Sequence, residues 1–371
     1  MDLSELIRIS GLFNLTPGNV IMILIGGALV YLAIAKKYEP TLLLPMGVGA
    51  MLANIPLTGM TGVNGFFSVI YDMGISNELF PLLIFIGIGA MTDFGPLLER
   101  PTTIILGAAA QFGIFGTLLM AVGMGFHINE AASIGIIGAA DGPTSIYVAS
   151  KLAPQLLGPI SVAAYSYMAL VPLIQPPIMR LMTTKEERRI RMPYTSRSVS
   201  KTTRLLFPIV TILICGLLVP MATPLIGMLM FGNLMRESGV VDRLTKGAQN
   251  ELTNIVTILL GLAIGSTMVA QSFLNVRTLM IMAMGMVAFA LDTAAGLVLG
   301  KIMCRVSGKR INPLIGASGI SAFPMSARVV QKVANEEDPT NFILMQAIGS
   351  NTAGQIASVM AGGVILALLG A

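Results

Sequence analysis

Charge is what this chain has least of. Asp, Glu, Lys and Arg make up 11% of its 371 residues, against a hydrophobic share of 54%, where soluble domains carry roughly 25% charged residues. No water-soluble fold of this size hides so much apolar surface behind so few charges, so a soluble enzyme is excluded. Tryptophan is absent, which leaves interfacial anchoring to Tyr, Lys and Arg. His127 is the only histidine and sits beside Glu130 in a connecting stretch; Cys215 and Cys304 are far apart and lack metal-ligand spacing, so neither a disulfide nor a zinc or haem site is expected. There is no Walker loop, hence no ATPase chemistry of its own, and no Met-flanked lysine of the kind that carries biotin. The opening Met1–Arg8 lacks the basic-then-apolar order of a cleaved signal and reads as a short interfacial helix. The formal charge of +5 comes mostly from loops, and no nucleic-acid surface is expected.

What is present is an all-α polytopic membrane protein. An N-terminal segment (1–19) precedes a first membrane repeat (20–179), a basic cytoplasmic loop (180–204) and a second repeat (205–371). Lys36-Lys37 closes the first apolar run, whereas the 58–79 linker holds Asp72 and Glu78 and no Lys or Arg; the positive-inside rule puts the former in the cytoplasm and the latter outside. Residues 80–91 are too short to span alone, about 20 residues being needed, and are either tilted with their flanks or re-entrant. Eight basic residues stand between Arg180 and Arg204, among them Arg188, Arg191 and Arg197. Topology explains this loop, although anionic lipid or a cytoplasmic partner is the alternative. The side of the polar stretch Lys332–Asp338 stays open.

The halves echo each other at offsets of about 178 residues. Residues 45–54 match 224–233, 89–98 match 265–274, and Gly138–Ser145 matches Gly316–Phe323. The opening span of the first half has its basic flank at its C-terminal end, that of the second half at its N-terminal end. The element therefore crosses in opposite senses, the mark of an inverted-topology repeat, in which broken helices or re-entrant hairpins meet near the midplane.

The first hairpin contains Ile136-Ile-Gly-Ala-Ala-Asp-Gly-Pro-Thr-Ser-Ile-Tyr147, with Asp141 the only charge between Glu130 and Lys151. An intramembrane carboxylate is costly and reads as functional. Gly138, Gly142 and Pro143 break the helix and free carbonyls, which with Thr144 and Ser145 suggest an oxygen cage for a small cation; the bland reading of Asp141 is a helix N-cap. Asp292 is the rival buried acid. Asn312, Ser318 and Ser321 offer neutral oxygens for Na⁺ or simple interhelical hydrogen bonds. Arg328, seven residues after Ser321 and on the same face if both are helical, either grips a carboxylate or snorkels with Lys332. Tyr165 and Tyr167 supply a proton or a hydrogen bond, or else anchor an interface. Asn351 is a cap or a site amide, and Asn54 and Asn233 are repeat-related core supports.

Four motifs, Gly89–Leu98, Ile136–Thr144, Ala164–Pro177 and Phe231–Val240, resemble the beta subunit of the sodium-transporting decarboxylases over nearly the whole length. The resemblance implies a subunit that decarboxylates carboxybiotin, presented by a separate carrier, and exports Na⁺. It implies partners: a carboxyltransferase alpha subunit, a biotin carrier, a small membrane subunit and further copies of the chain in a bacterial cytoplasmic membrane. The family's essential aspartate and functional tyrosine match Asp141 and Tyr167, and its later motif matches Asn312, Gly316, Ser321, Arg328 and Asn351. On that basis Asp141, Asn312, Ser321 and Asn351 are expected to hold Na⁺, Arg328 and Gly316 to meet carboxybiotin, and Arg328, Tyr167 and Ser321 to act in the chemistry. Oxaloacetate-type members carry an insertion after the second span; here only about 22 residues separate Leu57 from Phe80, which leans toward the acyl-CoA type. A Na⁺-coupled carboxylate carrier without decarboxylase activity is the competing class, and a purely structural subunit is the third.

Overall fold

A computed structural model describes residues 7, 9–192 and 199–370. Most of the interfacial helix expected at Met1–Arg8 and residues 193–198 of the basic loop, Arg197 included, lie outside the described residues. Helices account for the architecture, and among the described residues there is no strand.

The helices start and stop where local chemistry dictates. Helix α1 (Pro17–Ala35) opens with proline at its first position, and the Thr16 hydroxyl accepts from the Asn19 N–H at 3.2 Å. That pairing satisfies an end donor which the helix cannot satisfy itself. After α2 (Pro40–Ala53) the chain forms α3 (Phe66–Ser76) and α4 (Leu79–Met91), bent by 61° against each other. Residues 80–91 are thus continued by a bent flank, an arrangement that fits a broken span or a re-entrant loop. Helices α5 (Thr103–Gly123), α6 (Ile128–Ala139) and α7 (Gly142–Leu152) follow, then α8 (Pro154–Ala169) and α9 (Val171–Met182), bent by 66°. The second half contains α10 (Lys201–Leu218), α11 (Thr223–Ser238), α12 (Asp242–Gly247), α13 (Thr253–Ser266) and α14 (Val276–Val306). A 3₁₀ segment (Pro313–Gly319), α15 (Met325–Glu337) and α16 (Leu344–Leu369) complete the chain. Five helices are long and apolar enough to cross a membrane, or up to seven spans if each bent pair counts as one.

The repeat is visible in how the halves grip each other. Helix α2 packs on α13, and its counterpart α11 packs on α4. The two related asparagines make equivalent bonds: Asn54 Nδ2 donates to the Met268 carbonyl at 2.7 Å, and Asn233 Nδ2 donates to the Thr92 carbonyl at 3.0 Å. At both crossings only glycine fits, because a Cβ on Gly89 or Gly265 would lie 1.8 and 2.1 Å from the carbonyls of Leu229 and Met46. Close backbone approach through small residues is how helices associate in lipid, where apolar burial supplies no drive. The outer helices α1 and α10 bury little and present their apolar surface outward.

The two hairpins enter from opposite sides. At the open end of the first, Lys151 pairs with Glu78 at 2.5 Å and Arg277 with Glu130 at 3.4 Å. At the open end of the second, Arg188 pairs with Glu337 at 2.6 Å and Arg191 with Asp338 at 2.8 Å. The stretch whose side the sequence leaves undecided thus lies with the basic loop. Asn312 and Asn341 each donate to the carbonyls of Arg188 and Ile190, fastening that loop to the second hairpin.

Candidate functional site

The hairpins meet tip to tip. Helix α6 tightens into a 3₁₀ turn over Ile136–Ala139 and stops at Ala140, which adopts a left-handed conformation (φ 52°, ψ 42°). That conformation is unfavourable for a residue with a Cβ and persists where packing enforces it. The tip of the other hairpin joins it directly, the Ser321 N–H donating to the Ala139 carbonyl at 2.9 Å. These two short backbone segments place Asp141 and Ser321 side by side.

Asp141 begins α7, and its Oδ1 accepts from the Thr144 N–H at 3.1 Å. Its Oδ2 accepts from the hydroxyls of Ser321 at 3.1 Å and Ser358 at 2.6 Å. The capping and functional readings are therefore both satisfied, one oxygen serving each. Asp141 is 5% exposed. The Thr144 hydroxyl also donates toward the Asp141 carboxylate; Asn351, whose amide donates to the Ile320 carbonyl at 2.6 Å, keeps a buried Oδ1 with no hydrogen-bond partner among the described residues. One carboxylate among neutral oxygens suits a monovalent hard cation. Divalent sites gather several carboxylates, and no cluster of three or more acidic, His or Cys side chains able to hold a metal occurs among the described residues.

In the second hairpin, side-chain amides take the carbonyls that the break frees. Gln175 Nε2 donates to Ala317, Gln111 Nε2 to Gly319 and Asn351 Nδ2 to Ile320. A buried carbonyl without a partner is costly, and three amides remove that cost.

Asp141 opens onto a cavity of about 440 Å³. Its far wall comes from α2, α4 and α13 (Leu42, Ile88, Thr257), and its near wall from Asp141, Tyr165, Ser321 and Gln355. Glu39, just before α2, stands at the end where α2 begins, on the side of Lys36-Lys37. At that end the cavity wall is partly exposed, at Glu39 and Thr41.

The other candidates fall into three places. Tyr167 does not line the cavity; its hydroxyl donates to the Met282 carbonyl and its ring lies against Gly285, fixing α8 to α14. Tyr165 is the phenol that lines the cavity, lying against Gly142. Asn312 is engaged at the basic end, its Oδ1 accepting from Leu314 N–H and its amide holding the loop. Gly316 lies against α14, where a Cβ would be 2.0 Å from the Gly296 carbonyl. Ser318 donates to the carbonyls of Ile315 and Ala347. Ser321 and Arg328 do not share a helical face, because α15 begins only at Met325. Ser321 points to Asp141, whereas Arg328 is exposed in a depression with Gln331, Lys332, Asn335 and Glu336. Asp292 is fully buried but outside the cavity, enclosed by Gly113 and Gly138. Ser358 was not anticipated. Its signal was available: Asn351, Gln355 and Ser358 fall at i, i+4 and i+7 on a helix without charged residues, which puts them on one face.

Fold and site together define a polytopic membrane protein of the inverted-repeat class, with a carboxylate held where two interrupted hairpins meet. The chain belongs to the family described as the Na⁺-transporting oxaloacetate decarboxylase beta subunit, whose family model matches residues 18–369. It is 54% identical to the glutaconyl-CoA decarboxylase subunit beta of Acidaminococcus fermentans over 368 residues, covering 99% of this chain and 98% of that protein. It is 53% identical to the methylmalonyl-CoA decarboxylase subunit beta of Veillonella parvula, with 99% and 97% covered. The oxaloacetate decarboxylase beta chain of Haemophilus ducreyi is 48% identical, with 96% of each covered, in an alignment 418 positions long. This family makes the chain the beta subunit of a Na⁺-pumping decarboxylase, coupling decarboxylation to Na⁺ export. It does not support a carrier without decarboxylase activity.

Proposed function

We propose that this subunit decarboxylates carboxybiotin at its basic, cytoplasmic face and uses Asp141 as the Na⁺ site that couples the reaction to export across a bacterial cytoplasmic membrane. The observation that carries the reading is the carboxylate of Asp141, at the tip of the first hairpin, accepting from Ser321 at the tip of the second and from Ser358 of α16. Loss of CO₂ breaks the bond between the carboxyl carbon and the ureido nitrogen. The electron pair stays on nitrogen, and one proton is taken up to regenerate biotin. Arg328, free of any ion pair among the described residues, holds the entering carboxylate. A guanidinium suits this role because its planar fork matches two carboxylate oxygens. Arg328 lies in the first turn of α15, seven residues after Ser321, so engagement of substrate there bears on the cation ligand at the tip. We assign the phenol near the chemistry to Tyr165, which lines the cavity, and a positioning role to Tyr167. Gly316 keeps the arm close against α14 rather than meeting substrate, and Asn312 holds the basic loop rather than Na⁺.

Carboxybiotin arrives on a separate carrier after a carboxyltransferase has loaded it; a small membrane subunit and further copies of this chain complete the complex. The parent acid is an acyl-CoA. The support is identity and length: the chain is 54% and 53% identical to the glutaconyl-CoA subunit and the Veillonella methylmalonyl-CoA subunit over 368 residues, against 48% over 418 for the oxaloacetate chain. The test is to purify the native complex on avidin and follow CO₂ release from glutaconyl-CoA, methylmalonyl-CoA and oxaloacetate with and without Na⁺. Na⁺-dependent release from an acyl-CoA is expected. Release by the isolated subunit with no biotin present would overturn the reading, and release from oxaloacetate alone would overturn the substrate assignment.

A further inference from the structure

The cavity that leads to Asp141 is electrically one-sided. Its wall contains two carboxylates, Asp141 and Glu39, and no basic side chain; its other polar groups are neutral. Glu39 is in an unusual position. It precedes the first residue of α2 in a left-handed conformation (φ 34°, ψ 59°), yet its side chain makes no capping hydrogen bond. That conformation disfavours a residue with a Cβ, so the backbone is held there by its surroundings. No ion pair reaches Glu39 among the described residues, although Lys36 and Lys37 are close in sequence. A carboxylate that neither caps its helix nor pairs with a neighbouring lysine, and that lines the cavity, is placed to act on what enters it.

We propose that Glu39 is a cation-steering carboxylate at the mouth of the Asp141 cavity, setting the Na⁺ concentration at which the site fills from the basic side. The inference rests on the assignment of Asp141 as the Na⁺ site. Low-dielectric walls around like charges focus their field into the cavity and raise the local concentration of counter-ions. An anionic substrate group is opposed by the same field until cations have entered, so cation loading precedes approach of a carboxylate to the tip. Glu39 touches no reacting atom in this account; it is a positioning residue for the ion.

The experiment uses the complete complex in proteoliposomes, with ²²Na⁺ transport and CO₂ release measured against Na⁺ concentration at low and high choline chloride. Glu39→Gln is expected to raise the half-saturating Na⁺ concentration by roughly 3- to 30-fold at low ionic strength, the range for one unit charge acting through partly aqueous surroundings. Turnover at saturating Na⁺ should stay within about two-fold, since the ligands at Asp141 are untouched, and added choline should shrink the difference by screening. Glu39→Asp, which keeps the charge, should restore most of the affinity. Thr41→Lys, at an exposed position in the same wall, should weaken Na⁺ binding without altering the Glu39 backbone, which keeps the proposal testable if Glu39→Gln does not assemble. An unchanged Na⁺ requirement in both Glu39→Gln and Thr41→Lys would overturn the inference, as would a loss confined to saturating turnover. Asp141→Asn run in parallel separates the two ideas. If it abolishes Na⁺ dependence while the Glu39 and Thr41 variants behave as wild type, only the steering role fails. If Asp141→Asn keeps the wild-type Na⁺ requirement, the site assignment itself fails.

Discussion

The two hairpins share a plan and divide the chemistry. Each has a 3₁₀ turn before the break and a helix after it, and each is seated against α14 through a glycine, Gly138 in one and Gly316 in the other. The first carries the charge, Asp141, and opens on the side where the only described basic residues, Lys151 and Arg277, are each paired with an acid. The second has no acid at its tip; it offers Ser321, and its outgoing arm bears Arg328 on the basic side. An anionic tip suits a cation, whereas a neutral tip beside an arginine without an ion pair among the described residues suits an anion. Inverted repeats thus supply two access directions from one architecture, and divergence of a few side chains gives each direction its own ligand.

Breaking the shared part should be worse than breaking either specialised part. Gly316→Val drives a side chain into the Gly296 backbone, which has no room to yield; a cost of about 3 kcal/mol or more is expected, seen as loss of monodisperse protein in fluorescence-detected size exclusion. Gly142→Ala is the contrast. Its new methyl meets the Tyr165 ring, a side chain that can rotate, so the variant should assemble but show an altered Na⁺ requirement.

Removing neutral oxygens from the charged tip should have an intermediate effect. A hydrogen bond to a charged group contributes about 1.5–3 kcal/mol, so Ser358→Ala should raise the half-saturating Na⁺ concentration by about ten-fold or more. Ser321→Ala should do less, its contact with Asp141 being the longer one. Equal and negligible effects would mean that the carboxylate needs neither arm of the second half.

The smallest expected effect is at the rim. Hydrogen bonds from Thr340 and from Arg191 hold the Asp338 carboxyl down at about 2, and the Arg188 hydrogen bond holds Glu337 below its ordinary range. Both folded-state pKa values are depressed, so the stabilisation is present above the ordinary carboxylate range and is lost as pH falls through the folded values. The melting temperature of Arg191→Gln should therefore lie slightly below wild type at neutral pH, and the gap should close on acidification below about pH 4. A gap that widened with acid would reverse the sign of the coupling.

Much of this was legible in the sequence because it depends on short, periodic signals. The scarcity of charge, the opposite basic flanks of α1 and α10 and the Asp141 segment follow from composition and local order, and the fold agrees. Packing across the repeat was not legible. The sevenfold spacing of Ser321 and Arg328 suggested a shared face only if the intervening residues were helical, and the break at Ser321–Pro324 removes that premise. Tyr165 and Tyr167 are indistinguishable as residue types, and only the rotation of α8 sends one to the cavity and the other to α14. Asn312 looks like a ligand until its three hydrogen bonds are traced to the basic loop and the 3₁₀ segment. Glu39 carries no motif of its own after Lys36-Lys37, and its place in the cavity depends on residues more than a hundred positions away.

The most direct test of the central claim is Asp141→Asn in the assembled complex, with ²²Na⁺ uptake into inverted vesicles and CO₂ release measured side by side. Asparagine preserves the shape of the side chain and is itself a good helix N-cap, so a purely structural aspartate would tolerate it. If Asp141 is the cation site, the protein stays folded and inserted while Na⁺ uptake and CO₂ release are lost together. Persistence of both, with an unchanged Na⁺ requirement, would contradict the account.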